Sequence, residues 1–199
     1  SRLGTEDHVK GIDTEKLIKY YSQYGVSNNG VISICGAIDS DEVIDKVGEA
    51  FSKMKMGDEV VAQKKDAEWP LTQKEIEYNH HKEQAVLLIA YPGLKLDDQD
   101  RAVVSLIEEI SGGMDGLLFK RIREDLGLAY YVGTSQLVSY SRGSIYFYAG
   151  TNSESLSKVQ NELEKIIESL ISEKIDDEVL VRAKKSLIGK YSLSKQSYS

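Results

Sequence analysis

Gly112-Gly113-Met114-Asp115-Gly116-Leu117-Leu118-Phe119-Lys120-Arg121-Ile122-Arg123-Glu124-Asp125-Leu126-Gly127-Leu128-Ala129-Tyr130 decides how this chain folds. Three glycines within five residues break whatever helix precedes them. Leu117 to Leu126 then reads as a short helix, and Gly127 stands where a left-handed C-cap is expected. Leu128-Ala129-Tyr130 leads into a strand. A glycine loop, a helix, a glycine stop and a strand start therefore follow one another.

Upstream of the loop, Val103, Leu106, Ile107 and Ile110 form an i, i+3, i+4, i+7 stripe, predicting a helix over Asp97 to Ile110. Before it, Gln84-Ala85-Val86-Leu87-Leu88-Ile89-Ala90-Tyr91 is the strongest strand signal in the chain, closed by Pro92-Gly93. Downstream, Ala129 to Val138 and Ser144 to Gly150 read as a hairpin joined through Tyr140-Ser141-Arg142-Gly143. Asn152 or Ser153 caps a helix striped by Leu156, Val159, Leu163, Ile166, Ile167 and Leu170, and a last helix starts near Asp176. Towards the N-terminus, Asp13 caps a helix that ends near Gly25, and Asp39 or Ser40 caps another. Val31-Ile32-Ser33-Ile34-Cys35-Gly36 is of strand type, Glu75 to Asn79 is a weaker strand candidate, and residues 57 to 73 read as a connecting loop. This order predicts an α+β fold: a mostly antiparallel sheet with helices packed on one face. Residues 1–24 are expected to be the helical end of a preceding unit. Residues 25–199 are expected to be one α+β domain, cut at its last helix.

Composition narrows the function. The chain has 199 residues, 41% hydrophobic and 29% charged, an ordinary globular balance. With 32 acidic against 25 basic residues and a net charge of −7, it is a poor partner for nucleic acid. No run approaches the ~20 apolar residues of a membrane span. A soluble chain is expected, cytoplasmic or periplasmic if bacterial, with the compartment itself open. Cys35 is the only cysteine, so no intrachain disulfide forms; in its apolar run the thiol reads as inert.

No complete catalytic centre is visible. His8, His80 and His81 fall in neither His-Glu-x-x-His nor His-x-x-Glu-His spacing, so no metal site is expected on this chain. His80 and His81 are sequence neighbours whose rings would point to opposite sides of a strand. Glu108-Glu109 and Glu124-Asp125 read as solvated helix faces. Gly-x-Ser-x-Gly and phosphate-loop motifs are absent. What is present is Arg123 near a helix end and Tyr130 at a strand start, with a turn between them. Arg supplies a fixed fork of donors and Tyr a hydroxyl, a pair suited to holding a peptide carbonyl. Local chemistry alone favours the plainer arrangement, with Arg123 paired to a carboxylate and Tyr130 packed in the hairpin.

The same segment resembles the C-terminal, non-catalytic domain of the insulinase (pitrilysin) family of zinc metallopeptidases, which includes the mitochondrial processing peptidases. The matching residues are Gly112-Gly113, Leu118-Phe119, Arg123-Glu124 and Gly127-Leu128-Ala129-Tyr130. Tyr24 to Gly36 and Lys82-Glu83-Gln84 with Tyr91-Pro92-Gly93 are similar as well, and the likeness spans residues 3 to 195. Two positions depart from it: Leu117 stands where many members have Arg, and Ala37-Ile38 follow Gly36 where Asp is common. The resemblance implies a division of labour. Zinc is expected in a partnering catalytic domain, in cis or in a subunit in trans, and none is expected to be bound by this chain. Arg123 and Tyr130 would assist at that active site, and the Gly112-Gly113 loop would contact a peptide substrate held extended. The alternative is a scaffold domain of a larger assembly with no peptidase role.

Overall fold

A computed structural model describes residues 4–58, 72–79 and 83–196. The chain divides into two compact units, Ser1–Gln63 with Tyr198–Ser199, and Lys64–Ser197.

The first unit is helical. It contains α1 (Glu6–Lys10), α2 (Thr14–Tyr24) and α3 (Ser40–Phe51). Asp13 caps α2 by accepting from the Lys16 amide at 2.8 Å, and Asp39 caps α3 through the Asp41 and Glu42 amides. These are the caps the sequence predicts. Asn28 holds the Gly57 backbone through two 3.0 Å hydrogen bonds. The predicted strand over 31–36 does not form: no ladder reaches it among the described residues, Val31 is 96% exposed, and Cys35 lies at the surface. An apolar run becomes a strand only when another strand satisfies its backbone groups. Glu75 to Asn79 likewise carries no ladder, and Ile76 and Tyr78 are exposed. Most of the 57–73 loop, and His80 and His81, lie outside the described residues.

The second unit holds the sheet. Its elements are β1 (Gln84–Gly93), α4 (Arg101–Gly112), a π-helical turn (Phe119–Asp125), β2 (Tyr131–Leu137), β3 (Gly143–Asn152), α5 (Leu156–Ser172) and α6 (Asp177–Ser194). The strands run antiparallel in the order β1-β3-β2, with Leu88 opposite Tyr148 and Thr134 opposite Phe147. Pro92-Gly93 lies inside β1 rather than closing it, paired with Gly143 and Ser144 at the end of the ladder, where the missing proline donor is tolerated.

Alternation sorts the strands into two faces. Ile145, Phe147 and Ala149 of β3, with Leu87 and Ile89 of β1, point at the helices. They join Leu118, Ile122, Val159, Leu163 and Ile167 in one core. Leu118, Ile122, Val159 and Leu163 are fully buried, each burial stabilising the fold by roughly 1.5–3 kcal/mol. The fold class is thus the expected one, an antiparallel sheet with its helices on one face. Gly112 closes α4 against β2: a Cβ there would overlap the Thr134 amide and sit 2.9 Å from the Thr134 Cβ.

Leu118→Ala is expected to lower stability by about 2–5 kcal/mol in chemical denaturation, because it opens a cavity in a closed core. Val103→Ala, on the exposed side of α4, should change it by less than about 0.5 kcal/mol.

Candidate functional site

The segment between α4 and β2 is wound more widely than an α-helix. The Leu126 amide donates five residues back to the Arg121 carbonyl at 3.2 Å, and the Leu128 amide donates to the Ile122 carbonyl at 2.9 Å. Gly127 makes this reversal at φ +60°, a conformation that costs other residues a Cβ clash. Such π-helical turns are often found at functional sites. Here the turn buries Leu118 and Ile122 on one side and leaves Arg123 exposed on the other.

The strand that follows is tied down at its first residues. The buried Thr151 hydroxyl donates to the Leu128 carbonyl at 2.6 Å, and the Tyr130 amide donates to the Gly150 carbonyl at 2.8 Å. The side chain of Tyr130 is left 60% exposed. The Arg123 guanidinium lies over the Phe119 ring, 4.9 Å from its centroid. Among the described residues it has no carboxylate partner and no hydrogen bond to Tyr130, although Glu124 and Asp125 follow it directly. Its neighbour Arg121 does form an ion pair, to Glu162 of α5 at 3.0 Å, and Lys165 meets the same carboxylate at 2.7 Å. These two donors hold the Glu162 carboxyl below its ordinary 4.5.

Gly112 and Gly113 line a cavity of about 230 Å³ together with Glu109, Thr134 and Lys190. Around it run polar contacts that sequence reasoning missed. The Ser111 hydroxyl donates to the Ile107 carbonyl at 2.6 Å, so the 2.7 Å contact between the buried Ser111 and Thr134 hydroxyls is donated by Thr134. Gln136 donates to Ser105 at 3.2 Å and to Glu108 at 2.9 Å. Glu109 accepts from Ser186 at 2.5 Å and from Lys190 at 2.6 Å, both on α6. Burial pushes the Glu109 carboxyl up, but these hydrogen bonds and the Lys190 charge outweigh it and hold the carboxyl below 4.5. Glu108-Glu109 is therefore not a solvated face but the polar joint of α4 with β2 and α6. The one available signal was that Gln136 falls in the inward alternation with Val132 and Thr134.

Among the described residues no three of His, Cys, Asp and Glu converge to hold a metal ion. The donor set does not fit zinc, and no chemical step is assigned to a metal on these residues. No helix among them is long and apolar enough to cross a membrane.

The sequence model of the peptidase M16 inactive domain matches residues 11–187. An uncharacterized zinc protease of Rickettsia felis is 27% identical over 189 residues, covering 93% of this chain and 44% of that relative. Among solved structures, a peptidase M16 inactive domain from Pseudomonas fluorescens superposes with a TM-score of 0.76 at 24% identity, over 94% of this chain and 45% of that one. A protease from Helicobacter pylori reaches 0.80 at 17% identity, over 98% of this chain and 48% of that one. The chain spans about half the length of the relatives it matches.

Both carboxylates titrate lower in the fold than in the unfolded chain. Their stabilisation is therefore present above about 4.5 and is lost as pH falls through the folded values. Glu109→Gln should flatten the fall in melting temperature between about pH 5 and about pH 3. An unaltered slope would remove Glu109 from the acid response.

Proposed function

The chain belongs to the peptidase M16 inactive-domain family, and from that premise we propose that it holds extended peptide at an active site whose zinc lies in another domain or subunit. One observation carries the reading. In a chain with 32 acidic residues, Arg123 has no carboxylate partner among the described residues, and Tyr130, at the entry to the strand that follows, is left exposed.

A guanidinium without an ion pair retains its donors for a ligand. Stacking on Phe119 restrains it, so less side-chain freedom is lost on binding. The hydrogen bonds at Leu128 and Tyr130 fix the backbone that carries the tyrosine. Donors held in place before the reaction stabilise developing charge on a peptide carbonyl better than donors that must reorganise. Arg123 and Tyr130 therefore contact the carbonyl of the scissile peptide or the oxyanion formed from it. The Gly112-Gly113 loop contributes a contact to the same peptide.

The chain alone should not hydrolyse peptides. In the complete peptidase, Arg123→Ala is expected to lower kcat about 10²–10³-fold and Tyr130→Phe by a comparable or smaller factor. Zinc content, measured by atomic absorption, should stay unchanged in both. Wild-type turnover in the two variants would end the assignment.

A further inference from the structure

Glu109 carries a charge where both its helix and its burial disfavour one. It stands in the last turn of α4, at the negative end of the helix dipole, and its side chain is only 15% exposed. A glutamine there could accept the same hydrogen bond from Ser186 and would escape both costs. What a glutamine could not do is pair with the charge of Lys190, which reaches Oε2 from α6 at 2.6 Å.

The glycine loop starts on this residue. The Gly113 amide donates to the Glu109 carbonyl at 3.3 Å. A Cβ on Gly113 would lie 2.8 Å from that carbonyl oxygen and 3.7 Å from Glu109 Oε1, so the loop backbone crosses directly over the residue. The Gly116 amide then donates to the Gly113 carbonyl at 2.8 Å, closing a turn whose two central residues, Met114 and Asp115, are exposed. Gly116 itself lies against the Ser111 carbonyl, where a Cβ would sit 2.7 Å away. Glycine backbones have the widest conformational freedom of any, so the loop takes its place from the last turn of α4.

That turn is gripped from two sides. On one side is β2, where Thr134 donates to Ser111 and Gln136 to Ser105 and Glu108. On the other side is α6, where Ser186 and Lys190, one helical turn apart, each take one oxygen of the Glu109 carboxylate. Two donors on two oxygens leave a carboxylate a single orientation. With the β2 grip alone, the turn could still rock about that line of contacts. Arg123 and Tyr130 hang on other ties, to Glu162 through Arg121 and to β3 through Thr151 and Gly150.

We infer that Glu109 is a positioning residue: through its charge pair with Lys190 it holds the Gly112-Gly113 loop where the loop meets peptide. The inference rests on the reading of that loop as a substrate contact. Loosening the pair weakens peptide binding and leaves the donors of Arg123 and Tyr130 in place.

The test uses the complete peptidase and two readouts, amide deuterium exchange by mass spectrometry and steady-state kinetics. Glu109→Gln keeps an acceptor for Ser186 and loses the charge; Lys190→Met removes the partner. Each should speed exchange over residues 112–117 about tenfold and raise the peptide KM about tenfold, with kcat within about twofold of wild type. The double variant should be no worse than either single one, because both remove the same pair. Exchange over 119–125 should stay at the wild-type rate, which a general loss of stability would not allow. Lys190→Met, at a residue 62% exposed, carries the test if Glu109→Gln melts early. Wild-type exchange over 112–117 in both variants overturns the inference, whatever KM does. Exchange that quickens equally over 119–125 also overturns it, because the pair then serves the fold at large. Faster exchange confined to 112–117 at an unchanged KM shows a loop that Glu109 holds but peptide does not touch, which ends the reading of the loop as a substrate contact and the inference with it. Failure of the Arg123 reading is separate: it appears as an unchanged kcat in Arg123→Ala.

Discussion

Every hydrogen-bonded ladder in the sheet runs through β3, which lies between β1 and β2. Its inward residues, Ile145, Phe147 and Ala149, complete the core. Its outward residues, Tyr146, Tyr148 and Gly150, form the centre of the open face. A slip of one residue would exchange these two sets and put two tyrosine hydroxyls into a core with no partner for them. Burial of Phe147 and Ala149 against Leu163 and Val159 therefore fixes the register, and the register fixes everything attached to the strand.

What is attached includes the candidate site. Thr151 and Gly150 hold Leu128 and Tyr130 by their backbones, so the π-helical turn ends at a point set by β3 rather than by its own helical bonds. On the far side, Arg121 fastens the same turn to α5 through Glu162. Of the two arginines in the turn, one is used for this attachment and the other has no ion pair among the described residues. The exposed pair consequently sits on a braced segment, although the segment is a connection between elements. Mobility is the usual weakness of sites on connecting segments, and here two hydrogen bonds to β3 and an ion pair oppose it.

Local signals made much of this legible. The uncharged run Gln84–Tyr91, the glycine stop at Gly127, the Asp13 cap, the Asp39 cap (one of two candidates with Ser40) and the helix start near Asp176 depend on neighbours in sequence, and each appears where the pattern puts it. The segment 31–36 has the same apolar pattern but no ladder, because strand formation depends on a partner that pattern alone does not supply. Glu109 could not be read at all. Its partners Ser186 and Lys190 stand more than seventy residues away, and a glutamate on an amphipathic helix looks identical whether it meets water or another helix. Tyr131 with Gly150, and Gly133 with Tyr148, were equally hidden. Four unremarkable residues become two interlocking pairs only once the register of β2 on β3 is known.

The distribution of charge follows from the same geometry. An acidic chain ordinarily spreads its carboxylates over every water-facing surface, yet the strands hold none, and the carboxylates nearest the core are engaged by Arg121, Lys165 and Lys190. Arg123 instead lies over an aromatic ring and has no carboxylate partner among the described residues. A guanidinium over a ring keeps its in-plane donors directed outward. Glu162 of α5 and Glu109 of α4 are held by cations on the turn and the helices, while the strands of the sheet carry no charge. Stability alone gives little reason for an exposed arginine that has no ion pair among the described residues. The proposed contact with a peptide carbonyl supplies that reason.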